Sequence, residues 1–296
     1  MKALYLDCFS GISGDMTIGA LLDLGGDLGL LKEELKKLNI EEEYDIESNK
    51  VVKTGVSATK FDVLLHHEHV HVHEHVHTHA HEHSHSHDNH THDHGHSHGH
   101  QTHENDHSHD HHHHHHHGHD HSHDHHHRHY SDIVELISQA GFNEHVEKMA
   151  LKIFEKIGRA EAKIHNMPFE KVHFHEVGAV DSIIDIVGTC ILMDQLQISK
   201  VYASNIPVGN GKIRIAHGLY PVPAPATLEI MKGIPIQRTN ITGELTTPTG
   251  AAIVANFVEE YGPIPTMRVD DVGYGAGTKD FADHPNVLRA MMGTIE

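Results

Sequence analysis

Between His66 and His129 the chain packs 35 of its 41 histidines into 64 consecutive residues, among which only Val70, Val72, Val76 and Ala80 belong to the apolar set. A segment with so little to bury cannot offset the entropy of ordering itself, so it is expected to be a disordered loop when free of metal. The 65 residues before it are too few to close a comfortable core alone. The expected organisation is therefore one globular domain interrupted once: residues 1–65 as its first part, 66–129 as the loop, and 130–296 as the remainder. Outside the loop the apolar fraction rises from 37% to about 45%, the level of an ordinary globular protein.

Charge narrows the function classes. The chain carries 42 acidic and 22 basic residues, a formal net charge of −20. So acidic a surface offers no broad basic face to a nucleic-acid backbone, whereas it suits cations. No apolar run approaches the roughly 20 residues that span a bilayer; the longest, Ile183 to Leu196, is broken by Asp185 and Asp194. The opening Met1 to Asp7 is too short and too early in acid for a signal peptide. Cys8 and Cys190 are too few for a disulfide framework. A soluble, cytoplasmic protein is expected.

Hydrophobic periodicity places the elements. Lys2 to Cys8 reads as a buried strand, and Met16 to Leu24 as a helix. Leu30 to Leu38 makes a short second helix, and Tyr44 to Lys53 with Ser57 to Leu65 makes two strands around Gly55. After the loop, Ser131 is expected to cap a helix through Ala140. Glu144 to His165, Asp181 to Leu196, Pro225 to Met231 and Gly250 to Tyr261 read as further helices. Val201 to Ile206, Pro235 to Thr239, Thr266 to Gly273 and Val287 to Met292 read as strands. Strands and helices mix without a strict βαβ period, so the fold class is mixed α/β, with α+β as the variant.

The loop is the strongest chemical signal. At neutral pH most imidazoles are uncharged and keep a free lone pair, which favours Ni, Cu and Zn. The continuous run His111, His112, His113, His114, His115, His116 and His117 is the densest donor set. The bland alternative is a solvated spacer.

A second signal is Asp7-Cys8-Phe9-Ser10-Gly11-Ile12-Ser13-Gly14-Asp15-Met16, a strand ending in a Gly/Ser turn that opens a helix. Such a turn points N–H groups at an anion, with Ser10, Gly11, Ser13 and Gly14 as the candidate contacts. Asp7, Cys8 and Asp15 are candidate acid–base or metal groups. A tight connection with Ser13 as N-cap and Cys8 as a small buried side chain explains the same residues.

The third signal is His173-Phe174-His175-Glu176 followed by Asp181-Ser182-Ile183-Ile184-Asp185. Two histidines spaced by one residue share a side of an extended chain, and carboxylates at i and i+4 share a helix face. Together they offer ligands for one divalent ion. Glu244-Leu245-Thr246-Thr247-Pro248-Thr249-Gly250 opens another helix and could hold phosphate through Thr247, Thr249 and the Gly250 amide. Gly273 to Lys279 lacks the phosphate-loop spacing of an NTPase, and no H-E-x-x-H marks a zinc hydrolase.

Taken in order, the opening turn, the His173 to Ser182 motif, Ile206-Pro207-Val208-Gly209, Pro221-Val222-Pro223-Ala224-Pro225-Ala226, the Glu244 to Gly250 motif and Gly273-Tyr274-Gly275-Ala276-Gly277 closely resemble the nickel-insertion proteins of nickel-pincer cofactor biosynthesis. The resemblance covers essentially the whole chain outside the loop. It implies a lyase-class nickel insertase. Such an enzyme places Ni(II) in pyridinium-3,5-bisthiocarboxylic acid mononucleotide, bound by two sulfurs and a ring carbon, with CTP, for enzymes such as lactate racemase. Metallating a ring carbon requires loss of its proton, and His173, His175 or Glu176 are the candidate bases. Longer members continue past Glu296 into a second, nucleotide-associated domain, so the expectation is that CTP use involves a separately encoded C-terminal partner. The competing class is a non-catalytic nickel or zinc store or metallochaperone, which accounts for the loop but not for the motifs.

Overall fold

The computed structural model describes residues 1–66, 128–172, 174, 179–215 and 218–295, which all belong to one compact unit. The expectation of disorder for the histidine stretch falls on residues 67–127 and lies outside the described residues.

The architecture is mixed α/β, as the patterning implies. A seven-stranded sheet runs in the order β2 (Tyr44–Lys53), β3 (Val56–Leu65), β10 (Arg268–Ala276), β11 (Val287–Thr294), β1 (Lys2–Asp7), β4 (Lys200–Ala203), β9 (Val258–Tyr261). The first strand therefore lies inside the sheet, antiparallel to β11 and parallel to β4. Its Ala3, Leu4, Tyr5 and Leu6 are all buried, which is what an unbroken apolar run demands of a strand covered on both faces. The expected hairpin forms between β2 and β3, and Thr54 and Gly55 take the positive φ angles that a two-residue turn requires.

Helix α1 (Gly14–Asp23) lies against β3, β10 and β11, and α5 (Val180–Gln195) packs on α1. Helix α4 (Glu144–Ile164) then packs on α5, α6 (Pro225–Ile230) and α7 (Pro248–Phe257). The α1–β10 approach is close because Gly275 has no side chain: a Cβ there would lie 1.8 Å from the Met16 carbonyl oxygen. Among the described residues no helix is long and apolar enough to cross a membrane.

Several boundaries differ from the periodicity reading. The run Val201 to Ile206 is two elements, since Ser204 and Asn205 divert the chain from β4 into β5 (Ile206–Asn210), which pairs with β8 (Ile236–Thr242) in a separate small sheet. The helix expected to reach Tyr261 stops at Phe257. Val258–Tyr261 is extended instead, its β-branched and aromatic ends finding β4 as a partner. Helix α3 (Tyr130–Gln139) is capped by His129 rather than Ser131, with the Asp132 carboxylate accepting from the His129 N–H. Helix α2 spans Leu28–Leu35, with Asp27 as its cap.

Candidate functional site

The opening turn and the Glu244 to Gly250 motif are built as one unit. The chain leaves β1 and reverses at Gly11, whose φ of +94° belongs to the left-handed region. Ile12 N–H then donates to the Leu245 carbonyl (3.2 Å), and Thr247 N–H donates back to the Ile12 carbonyl (3.1 Å). Glycine is needed on both sides of this seam. A Cβ at Gly11 would lie 2.0 Å from the Leu245 oxygen, and one at Gly250 would lie 2.2 Å from the Ile12 oxygen. The Thr246 hydroxyl ties the seam to the Ile206 to Gly209 motif by donating to the Pro207 carbonyl at 2.9 Å.

Above this seam opens a cleft of about 380 Å³ where the first turns of three helices meet. Helix α1 contributes Ser13, Gly14 and Asp15; α5 contributes Asp181, Ser182 and Asp185; α7 contributes Pro248 and Thr249, preceded by Thr247. Strand β3 forms a further wall with Lys60 to Val63, and Glu244 and Thr278 complete the lining. A larger groove of about 650 Å³ beside α4 is lined by residues such as Tyr130, Phe142 and Lys152, and it contains none of the motif residues.

Carboxylates dominate the cleft. Lys60 pairs with Asp15 at 2.9 Å and with Asp62 at 2.8 Å. The Ser13 hydroxyl donates to the other oxygen of Asp15. Asp185 reaches the N-terminus of α1, where the Asp15 backbone N–H donates to it; it fits because Gly14 is bare, a Cβ there falling 2.3 Å from the Asp185 carboxylate. Burial pushes the Asp185 carboxyl well above the usual range, Asp15 and Asp181 push it further, and Lys60 offsets part of this. Burial also raises Asp181, whose carboxylate accepts from the Ser182 N–H at 2.8 Å. For Lys60, burial alone would lower the ammonium, but Asp15 and Asp62 hold it above its ordinary value. Among the described residues no three His, Cys, Asp or Glu side chains close on a common point at ligand distance. The carboxylates thus face the cleft as an open set.

The expected residues sort unevenly onto this geometry. Asp15, Asp181, Asp185, Ser13, Gly14, Thr247 and Thr249 line one cleft. Gly11 and Gly250 form its floor, and the Gly250 N–H is taken by the Thr247 hydroxyl at 3.2 Å. Ser10 is fully buried and donates to the Pro285 carbonyl, with His284 Nε2 at 2.5 Å, so it anchors a neighbouring loop. Asp7 is held by Arg289 at the end of β1 and is not part of the cleft lining. Cys8 corrects an expectation: it is completely buried, burial pushes its thiol up to about 12, and it packs in the core instead of offering a thiolate. His173, His175 and Glu176 lie outside the described residues, as do His111 to His117. Phe174 between them is buried against Phe154 and Tyr130.

Lys60, Asp62, Ser182 and Thr278 are cleft residues that the motif reading did not single out. Alternation along β3 does put Lys60 and Asp62 on one face, but only the parallel pairing of Lys60 with Ala276 brings that strand alongside α1.

A family model described as nickel insertion protein matches residues 4–296. A protein of Geobacillus kaustophilus named pyridinium-3,5-bisthiocarboxylic acid mononucleotide nickel insertion protein is 46% identical over 293 residues, covering 99% of this chain and 60% of its own length. Proteins of the same name from Staphylococcus epidermidis and Desulfitobacterium hafniense are each 43% identical, over 98% and 100% of this chain and 59% of their own lengths. The chain thus spans about 60% of the length of these curated relatives. No solved structure matches it. With residues of the opening turn, of Asp181 to Asp185 and of the Glu244 to Gly250 motif meeting at one carboxylate-lined cleft, and the family model covering all but the first three residues, the chain belongs to the nickel insertion protein family.

Proposed function

We propose that this chain holds the metal and the substrate for nickel insertion into pyridinium-3,5-bisthiocarboxylic acid mononucleotide, forming the nickel-pincer cofactor. The observation that carries the reading is the cleft whose lining brings Asp15, Asp181 and Asp185 together with the turn at Thr247 to Thr249. An ion destined for two sulfurs and a carbon must be released readily. Oxygen donors hold Ni(II) less firmly than thiolates, and both cysteines are buried away in the core.

The chemistry then divides among named groups. The carboxylates present Ni(II) in the cleft while the two thiocarboxylate sulfurs replace them as ligands. The ring C–H bond breaks, its electron pair forms the carbon–nickel bond, and the proton passes to a base. His173, His175 and Glu176 are the candidates for that base. In the sequence they stand on either side of Phe174, ahead of Ala179, the N-cap of α5, which is two residues before Asp181. Fixing the ion against the ring makes the exchange effectively unimolecular. The histidine stretch collects nickel, the site of action is cytoplasmic, and CTP takes part in the reaction.

The test is to incubate the full chain with the bisthiocarboxylate mononucleotide and nickel, with and without CTP and a C-terminal partner, and to follow cofactor absorbance. Product that depends on this chain supports the reading. Nickel binding without product under every combination would leave a store or metallochaperone.

A further inference from the structure

Strand β2 is one edge of the seven-stranded sheet, and among the described residues no strand pairs with its outer side. The opposite edge, β9, has four residues. Strand β2 has ten, matched to β3 without a register shift from Tyr44↔Leu65 to Lys53↔Val56. So long and regular an edge leaves a row of backbone N–H and C=O groups open to a further strand. A proline, a bulge or a short length would protect it, and β2 has none of these. Toward its hairpin end it carries Val52, which at 71% is the most exposed large apolar side chain among the described residues.

Charge is the one protection that β2 has, and its charges are sorted. Asp45 and Glu47 stand in the first half, Lys50 and Lys53 in the second. Two copies of the strand laid antiparallel therefore bring acid against base. Outward-pointing N–H and C=O groups recur at every second residue, so a two-fold axis between two such strands passes through a residue. With the axis at Asn49, Asp45 faces Lys53, Glu47 faces Val51, Ser48 faces Lys50 and Ile46 faces Val52. No like charges meet, and the exposed Val52 gains an apolar neighbour. An axis at Lys50 would set lysine against lysine. One at Ser48 would leave Asp45 opposite Val51 and Lys50 opposite Ile46.

We propose that the outer edge of β2 is a self-recognition surface, to which a second copy of the chain adds its own β2 antiparallel about a two-fold axis at Asn49. The two sheets then continue into one. Strand β3, which carries Lys60 to Val63 of the cleft wall, lies one strand in from the joint. Within the chain Lys50 pairs with Asp23, Lys53 with Asp280 and Asp45 with His66, so the joint shares these charges and does not need them free. The net charge of −20 opposes association. The pairing is accordingly weak and reversible, and the local match sets its register.

Sedimentation velocity of the full chain over a concentration series tests this, with a chelator present so that no metal bridges the histidine stretches. A dimer that grows with protein concentration is expected. Asp45→Lys with Glu47→Lys makes the whole edge basic, and Lys50→Glu with Lys53→Glu makes it acidic. Each variant alone should raise the dissociation constant about tenfold or more, and an equimolar mixture should regain the dimer as a heterodimer. Circular dichroism verifies folding, and a cysteine pair carries the test if a charge variant fails to fold. Asn49→Cys sets two thiols opposite each other across the axis, so mild oxidation with diamide should link the copies. Glu47→Cys, which faces Val51, should link far more slowly; Cys8 and Cys190 are buried and do not compete. A parent that stays monomeric, folded charge variants that associate like the parent, a mixture that stays monomeric, or Asn49→Cys linking no faster than Glu47→Cys would each overturn the proposal.

Discussion

Replacing Gly250 by alanine drives a methyl group into the backbone of the neighbouring turn. The new Cβ would lie 2.2 Å from the Ile12 oxygen, 2.6 Å from the Ile12 carbon and 3.0 Å from the Ser13 Cα, none of which can rotate away. Ordinary contact requires the two strands of the seam to part by about 1 Å, enough to break both the Ile12–Leu245 and Thr247–Ile12 hydrogen bonds. Overpacking costs about 1–3 kcal/mol, and each lost bond about 0.5–1.5 kcal/mol. Alanine returns roughly 0.5–1 kcal/mol through its better helix propensity. At the centre of these ranges the net loss is about 3 kcal/mol, or a fall in melting temperature of roughly 6–12 °C for an ordered body of this size. Differential scanning calorimetry of the metal-free protein measures it. Gly29→Ala in the exposed first turn of α2, whose nearest neighbour would be Asp27 Oδ1 at 3.1 Å, is the control and should change little. A Gly250→Ala protein as stable as its parent would refute the seam as the base of the cleft.

Three further outcomes follow from the same geometry. Lys60→Met should cost about 2 kcal/mol at neutral pH, less than for a fully buried pair because the Asp15 side chain keeps 24% exposure. Since Lys60 titrates above its ordinary value, its contribution is complete at neutral pH and fades only as pH rises through that raised value; denaturant curves at neutral and strongly alkaline pH check this. For Asp185 the sign is reversed. Its raised pKa means the buried ionised form costs stability in full above that pKa, and the cost shrinks as pH falls from it toward the ordinary carboxyl value. Asp185→Asn should therefore raise the melting temperature of the metal-free protein at neutral pH, with the advantage shrinking in acid, while nickel insertion is lost. Replacing His173 and His175 by alanine should leave total nickel capacity nearly unchanged, as the 35 histidines of the stretch remain, yet abolish product formation. Deleting residues 66–129 should do the reverse when nickel is plentiful.

Local pattern disclosed the elements whose neighbours are close in sequence. The β2–β3 hairpin is legible because two alternating runs flank a two-residue turn, and α4 and α5 because their apolar spacing is sustained over four turns or more. The carboxylates of α5 are legible for the same reason, since a four-residue spacing fixes their shared face. What pattern cannot carry is pairing at long range. Strand β8 is legible as a run but its pairing with β5 is not, and the hairpin of β6 (Lys212–Ile215) with β7 (Gly218–Pro221) sits in short, Pro- and Gly-interrupted stretches without a sustained period. Cys8 shows the limit at a site: its neighbours in sequence resemble a ligand cluster, but strand parity turns it into the core while Asp15 faces the cleft. Lys60 enters only through the β3–β10 contact, which no local signal encodes.

The central claim is that the carboxylates of the cleft present the ion that is inserted. Cofactor formation by the Asp15→Asn, Asp181→Asn double variant, supplied with excess nickel, CTP and a C-terminal partner, tests it most directly. Total nickel bound should match the parent, because imidazoles dominate the capacity. Product formation should fall by about a hundredfold or more, because the ion is no longer fixed against the ring. A folded double variant, verified by circular dichroism, that forms cofactor at the parent rate would contradict the account.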